Sequence, residues 1–182
     1  MEILPIEKSF NSSQEYQDVC TRYYTSRYSI DVSEKYSDFC ILFHSNKICV
    51  ITLAPSHPII AEKKDIVKID FKVSSNVDRL TNKVSGKGKH GAQILQPLSP
   101  LFFVECSDKS KYTMYSCISG KLIEINDNLV QNPNLLVQNP MDKGYIAIVL
   151  PPIRHGEKYR DQLLTPEKYK EEILKRNQQC SV

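Results

Sequence analysis

Tyr115-Ser116-Cys117-Ile118-Ser119-Gly120-Lys121-Leu122-Ile123-Glu124-Ile125-Asn126-Asp127-Asn128-Leu129-Val130-Gln131-Asn132-Pro133 is the stretch from which the fold can be read. An apolar run leads into a Ser-Gly pair, a β-rich run follows from Lys121 to Ile125, and a proline-marked bend closes the unit at Leu129 to Pro133. Glycine and proline punctuate strands in this way because one accepts backbone conformations that others avoid and the other removes a ladder donor. The same turn stands 34 residues earlier as Val84-Ser85-Gly86-Lys87, again ending at a glycine expected to hand over to a strand. A leucine-bearing strand and a proline bend follow it too, at Leu95-Gln96-Pro97. Two copies of one turn imply a duplicated, pseudo-twofold β fold.

Outward from this unit the chain is strand-rich. Val67, Ile69, Phe71 and Val73 alternate with Lys68, Asp70 and Lys72, the period of a strand with one wet face. Phe39 to Phe43 and Ile48 to Leu53 flank His44-Ser45-Asn46-Lys47 and predict a hairpin turning near Ser45-Asn46. In that hairpin Cys40 is expected to face Ile51 and Cys49 to face Leu42. Ala54-Pro55-Ser56-His57-Pro58 breaks the second strand into a loop. Further strands are predicted at Gln93 to Leu95, Leu101 to Cys106, Tyr112 to Ile118, Lys121 to Ile125 and Tyr145 to Leu150. So many short strands imply a small barrel or sandwich.

The two ends read as helices. Ser12-Ser13-Gln14-Glu15 has the capping-box form, and Tyr16, Val19, Cys20, Tyr23 and Tyr24 recur at helical spacing, so a helix from about 13 to 24 is expected to dock on its own domain. Thr165 suits an N-cap, Pro166 a first helical position, and Leu164 a staple onto Tyr169, which predicts a helix from 166 to about 176. Glu171 and Glu172 stand four residues before Lys175 and Arg176, the favourable order for ion pairs. The apolar face of this helix, Tyr169, Ile173 and Leu174, is narrow, so it is expected to dock weakly or to bind elsewhere, and residues 177–182 to fray. The chain thus divides into an N-terminal segment, 1–30, a β domain, 31–152, and a C-terminal linker, helix and tail, 153–182.

Composition excludes several classes. With 182 residues and 41% hydrophobic content the chain supports one core but not two ordinary domains. Lys plus Arg total 24 against 21 acidic residues, and a net charge of +3 is too mild to mark a nucleic-acid binder by composition. The N-terminal residues lack the basic start and apolar run of a secretory signal. Runs such as Ile146 to Leu150 are far short of a membrane span, so a soluble protein of cytosol or nucleus, without membrane association, is expected. In that reducing setting Cys20, Cys40, Cys49, Cys106, Cys117 and Cys180 are expected as free thiols. No C-x-x-C or H-x-x-x-H spacing suggests a metal site.

Cys40, His44, Cys49 and His57 are the residues from which a thiol-base pair could be assembled. The cysteines lie in apolar strands, where burial raises a thiol pKa, and no aspartate is placed by a known motif to orient either histidine. No catalytic site is expected. Lys83, Lys87, Lys89 and His90 crowd a glycine-rich loop that lacks the P-loop pattern, because Ala92-Gln93 follow Gly91 where Lys-Ser or Lys-Thr would be needed. This is the strongest local positive patch, suited to an acidic partner or to RNA.

The stretch quoted first resembles the glycine-cleavage H-protein, in which S-P-x-S-G precedes V-x-E-V-N and a leucine-asparagine-proline bend. The likeness continues through Asn139-Pro140 and Lys143-Gly144-Tyr145-Ile146 and covers roughly residues 84 to 150. It implies a mainly β, lipoyl-type barrel-sandwich hybrid with a short N-terminal helix and a C-terminal helix. The register places Lys109 at the position of the lipoylated lysine. That hairpin usually reads E-S-V-K-A, whereas Cys106-Ser107-Asp108-Lys109-Ser110 stands here with Glu105 one place too far away, so Lys109 is expected to be unmodified.

A second resemblance covers most of the chain and is to the Abitram (Simiate) family. It is carried by Arg22-Tyr23-Tyr24-Thr25; by Cys40-Ile41-Leu42, His44-Ser45-Asn46, Ile48 to Ala54 and Ser56-His57-Pro58; and by Asn82 to Lys87 with Gly91-Ala92-Gln93. The resemblance implies a non-catalytic protein that associates with actin monomers and filaments and influences filopodia and dendrite branching. It also implies residence in nuclear speckles and in the cytoplasm, including actin-rich projections, with a transcription-modulating role. Neither a cofactor nor a small-molecule substrate is implied. The alternatives are an RNA-associated speckle protein using residues 83–90, and a lipoyl carrier at Lys109.

Overall fold

Strands form where the β-branched and aromatic runs stand, and the computed structural model, which describes residues 19–152 and 156–179, gathers them into two main sheets. Numbered along the chain, the larger sheet runs β1 (Tyr24–Ser29), β2 (Phe39–His44), β3 (Cys49–Leu53), β11 (Ala147–Leu150), β10 (Gly120–Ile125) and β7 (Ile94–Leu95). The smaller joins β4 (Ile66–Asp70), β8 (Pro100–Cys106) and β9 (Lys111–Tyr115), and β5 (Lys72–Ser74) pairs with β6 (Val77–Asp78). Phe39, Ile41, Ile51 and Leu53 from the first sheet meet Leu101, Val104 and Met114 from the second in one buried cluster with Leu95, Leu122 and Val149. This is the mainly β architecture that the sequence implies.

The hairpin of β2 and β3 forms, but its register differs by one residue from the expected one. Cys40 lies opposite Thr52, and Cys49 opposite Phe43. A three-residue loop with Lys47 at φ 77° closes between His44 and Ile48, and the extra residue shifts every pair. Cys40 and Cys49 therefore point to opposite faces of the sheet, Cys49 into the core. The alternation at residues 67–73 also breaks. A bulge between Ile66 and Lys68 buries Ile66 and leaves Val67 63% exposed, and the strand is interrupted at the buried Phe71.

β9 ends at Tyr115 rather than at Ile118, because residues 116–119 carry the chain from the small sheet to the large one. Cys117, at φ 62°, makes the corner, held by its N–H donating to Pro97 O at 2.8 Å. The two Ser-Gly copies are not equivalent. Gly86, at φ 65°, sits in a tight turn with no strand directly after it, whereas Gly120 opens β10. Gly120 is needed for space: a Cβ there would stand 2.6 Å from Leu150 O and 2.7 Å from Val149 Cγ1.

The helices are α1 (Val19–Tyr23), α2 (Pro58–Ala61), α3 (Asn128–Gln131), α4 (Leu135–Gln138), α5 (Gly156–Gln162) and α6 (Pro166–Gln179). The first turns of the expected N-terminal helix lie outside the described residues, and Tyr24, expected as its last residue, already belongs to β1. The predicted loop after Pro55 contains one turn of helix, α2, because His57 caps it through Nδ1, which accepts from Ile59 N at 3.2 Å.

α6 docks firmly, against the expectation from its narrow apolar face. Tyr169 is 6% exposed and stacks on Tyr28, with ring centroids 4.0 Å apart at 5°. Its hydroxyl meets Ser56 Oγ at 2.6 Å and accepts from Ser56 N at 3.1 Å. Arg176 reaches Asp38 at 2.7 Å and Asp31 at 2.8 Å instead of Glu172, which pairs with Lys175 at 2.6 Å. Polar anchors at both ends of the helix supply what its apolar stripe lacks. The expected N-cap forms, with Lys168 N donating to Thr165 Oγ1 at 3.4 Å, and the helix continues through 177–179, where fraying was expected.

Candidate functional site

The basic loop is a preformed hairpin. Ser85 and His90 exchange backbone hydrogen bonds of 3.0 and 2.9 Å, and Lys89 N donates to Gly86 O at 3.1 Å. Its base is anchored by Asn82, whose Nδ2 donates to Leu122 O and whose Oδ1 accepts from Gln93 N, both at 2.9 Å. Arg79, nearly buried, donates to Gln93 Oε1 at 2.7 Å and twice to Pro100 O. At Gly91, φ 79°, the chains come so close that a Cβ would lie 2.5 Å from Lys83 O.

This scaffold presents Lys83, Lys87 and His90 exposed to solvent and Lys89 partly so. Lys121, from β10, joins them: its Nζ donates to Gly88 O at 2.7 Å. Among the described residues no carboxylate pairs with Lys83, Lys87, Lys89 or Lys121, although nine ion pairs are formed by other residues. Sequence reasoning missed Lys121. The signal was present in the repeat, since each Ser-Gly copy ends in a lysine, Lys87 and Lys121.

Lys109 stands where the H-protein likeness places it, exposed at the tip of the β8–β9 hairpin with φ 65°. Both carboxylates near it are engaged. Asp108 receives Lys64 Nζ at 2.5 Å and bonds Ser110, contacts that hold its carboxyl far below the usual range, and Glu105 pairs with Lys111 at 3.8 Å. The flank departs from the E-S-V-K-A pattern, with Glu105 one place too far away and turned to Lys111.

The residues of the hypothetical thiol-base pair are not brought together as one. Burial pushes the thiols of Cys40 and Cys49 up to about 12, and Cys117 higher still. His57 is fully buried, and desolvation lowers it to about 4, so it is neutral. Phe39 and Tyr112 meet its ring edge-on, and its Nε2 has no partner. His44 is a turn residue, accepting Asn46 N at Nδ1. No disulfide joins Cys20, Cys40, Cys49, Cys106 or Cys117 among the described residues, and Cys180 lies outside them.

A groove of about 680 Å³ lies on the outer face of the large sheet. Its floor is a single cross-strand row, Ser26, Leu42, Val50 and Ile148, and Cys20 and Met141 stand at its rim, joined by a bond from Cys20 Sγ to Met141 O at 3.0 Å. Among the described residues no group of three or more His, Cys, Asp or Glu side chains is placed to hold a metal ion. No described helix is long and apolar enough to cross a membrane.

The two packed sheets share the fold class of the glycine-cleavage H-protein. The family model described as Glycine cleavage H-protein matches residues 89–176. A crystal structure of a glycine cleavage system H protein from Mycobacterium marinum superposes with a TM-score of 0.54 at 16% identity, over 81% of this chain and 95% of that one. Protein Abitram of Gallus gallus is 50% identical over 161 residues, 88% of this chain and 93% of that protein. Protein Abitram of Homo sapiens is 47% identical, over 85% and 86%, and that of Drosophila melanogaster 40% identical, over 97% and 78%. The chain belongs to the Abitram family.

Proposed function

We propose that this protein is a non-catalytic binding module that associates with actin, as monomer and filament, and modulates its polymerisation, filopodia and dendrite branching. Family membership supports the actin reading through the resemblance it extends, and the relatives carry no enzyme name. The observation that carries a binding role is the basic hairpin: Lys83, Lys87, Lys89 and His90 are displayed on a hydrogen-bonded scaffold without acidic partners among the described residues. A backbone held this way loses little conformational freedom on contact, and the cations it carries steer an acidic partner. The departure of the Lys109 flank from the E-S-V-K-A pattern argues against a lipoyl carrier. The same reading places the protein in the cytoplasm, including actin-rich projections, and in nuclear speckles.

Co-sedimentation of the purified chain with actin filaments tests the proposal. Enrichment in the pellet at low salt, weakening toward physiological salt, is expected. No enrichment at either salt overturns it.

A further inference from the structure

We infer that the contact face is composite: the cationic hairpin continues into exposed aliphatic side chains at the free edge of the large sheet, and together they take an acidic protein surface that offers apolar side chains between its carboxylates. The inference rests on the binding-module reading but not on actin being the partner.

Three placements carry it. β7 is the last strand of the six-stranded sheet, and its Ile94 is 63% exposed. Ile94 pairs in register with Lys121, whose amine is bonded to the hairpin at Gly88 O, so the aliphatic side chain and the cationic loop are one continuous surface. Leu98, 62% exposed, follows at the turn closed by Ser99 N on Gln96 O at 2.9 Å, and the exposed Leu80 precedes the hairpin on the short 3-10 turn Arg79–Thr81. Single exposed aliphatics are ordinary on a protein surface. Ile94 beside Lys121 and the hairpin lysines, for which the described residues supply no carboxylate, sets an apolar contact next to a charged one, the mixture found at interfaces.

The choice of protein over nucleic acid follows from what the face lacks. Residues 79–99 contain no Phe, Tyr or Trp, and their one aromatic ring, His90, lies against Gly88, where a Cβ would stand 2.8 Å from its Nε2. Proteins that bind single-stranded RNA stack bases on aromatic side chains, and lysines alone give only weak, salt-sensitive attraction. Aliphatic side chains among lysines instead match an acidic protein surface with apolar residues of its own.

The test uses the full chain and fluorescence anisotropy with three probes: a peptide of Glu-Glu-Leu repeats, an all-Glu peptide of equal charge, and poly-uridine RNA. The Glu-Glu-Leu peptide is expected to bind at least about tenfold tighter than either other probe, reflecting the apolar contact. Ile94→Ser combined with Leu98→Ser is expected to remove that advantage while leaving the all-Glu affinity within about twofold, because exposed side chains contribute little to folding. Lys83, Lys87, Lys89 and Lys121→Ala is expected to weaken both peptides and flatten their salt dependence. Equal affinity for the two peptides, or tighter binding of RNA, overturns the inference. The same variants in filament co-sedimentation keep the two proposals apart. Filament binding with equal affinity for the two peptides refutes this face and leaves the actin reading standing; peptide discrimination without filament binding does the reverse.

Discussion

Replacing Arg176 by alanine tests whether α6 is an integral part of the fold. Asp38 is fully buried, and its carboxylate accepts from Asp31 N at 2.8 Å, Ser56 Oγ at 2.5 Å and Arg176 Nη1 at 2.7 Å. Arg176→Ala removes the one cationic partner among the described residues and leaves a buried negative charge with two neutral donors. Breaking a buried pair from one side costs about 3–5 kcal/mol, and the two surviving donors place this case near about 3 kcal/mol. The second contact, to the half-exposed Asp31, adds little. For a chain of this size that loss lowers the melting temperature by roughly 6–12 °C. Asp38→Asn in the same background removes the stranded charge, and the double variant is expected to be more stable than the sum of the single losses by roughly 1 kcal/mol or more. Urea and thermal unfolding followed by circular dichroism measure both. A loss from Arg176→Ala of less than about 1 kcal/mol, the worth of an exposed pair, would refute the reasoning and return α6 to a weakly docked helix.

Gly120→Ala is expected to destabilise by about 2–3 kcal/mol, since the added methyl meets the backbone of Leu150, which cannot yield as a side chain would; chemical denaturation giving less than about 1 kcal/mol counts against the close approach. His57 is neutral when folded, at about 4 against 6.5 unfolded, so the unfolded chain binds the extra proton between those values and stability falls as pH drops from 6.5 toward 4. The linkage is worth up to about 3 kcal/mol, and His57→Asn, which keeps a capping group, is expected to flatten the pH dependence of unfolding over that window. An unchanged slope would contradict the assignment. Intact-mass spectrometry of protein from its native source is expected to show Lys109 without a lipoyl adduct, and a lipoyl mass increment would restore the carrier reading.

The strands of the β domain were legible because their apolar residues recur with the period of a pleated sheet, and the Ser-Gly unit with its Asn-Pro bend was specific enough to name the fold class. Their pairings were less so. The one-residue error in the β2–β3 register arose at a loop whose third residue, Lys47, adopts a positive φ that nothing in a lysine announces. The bulge at Val67 and the corner at Cys117 are likewise imposed by the need to join two sheets around one core.

The candidate site divides in the same way. Lys83, Lys87, Lys89 and His90 are neighbours in sequence, so their clustering was visible; Lys121 and Ile94 join them only because β10 pairs with β7 at the sheet edge. The docking of α6 was hidden for a related reason, since its anchors, Asp38, Ser56 and Tyr28, lie more than a hundred residues away and are polar or aromatic. By itself the sequence determined the strand content, the cationic loop and the family, all of which rest on local pattern. Register, the composite face and the locked C-terminal helix were decided by the tertiary structure, because each depends on groups distant along the chain competing for the same space and hydrogen bonds.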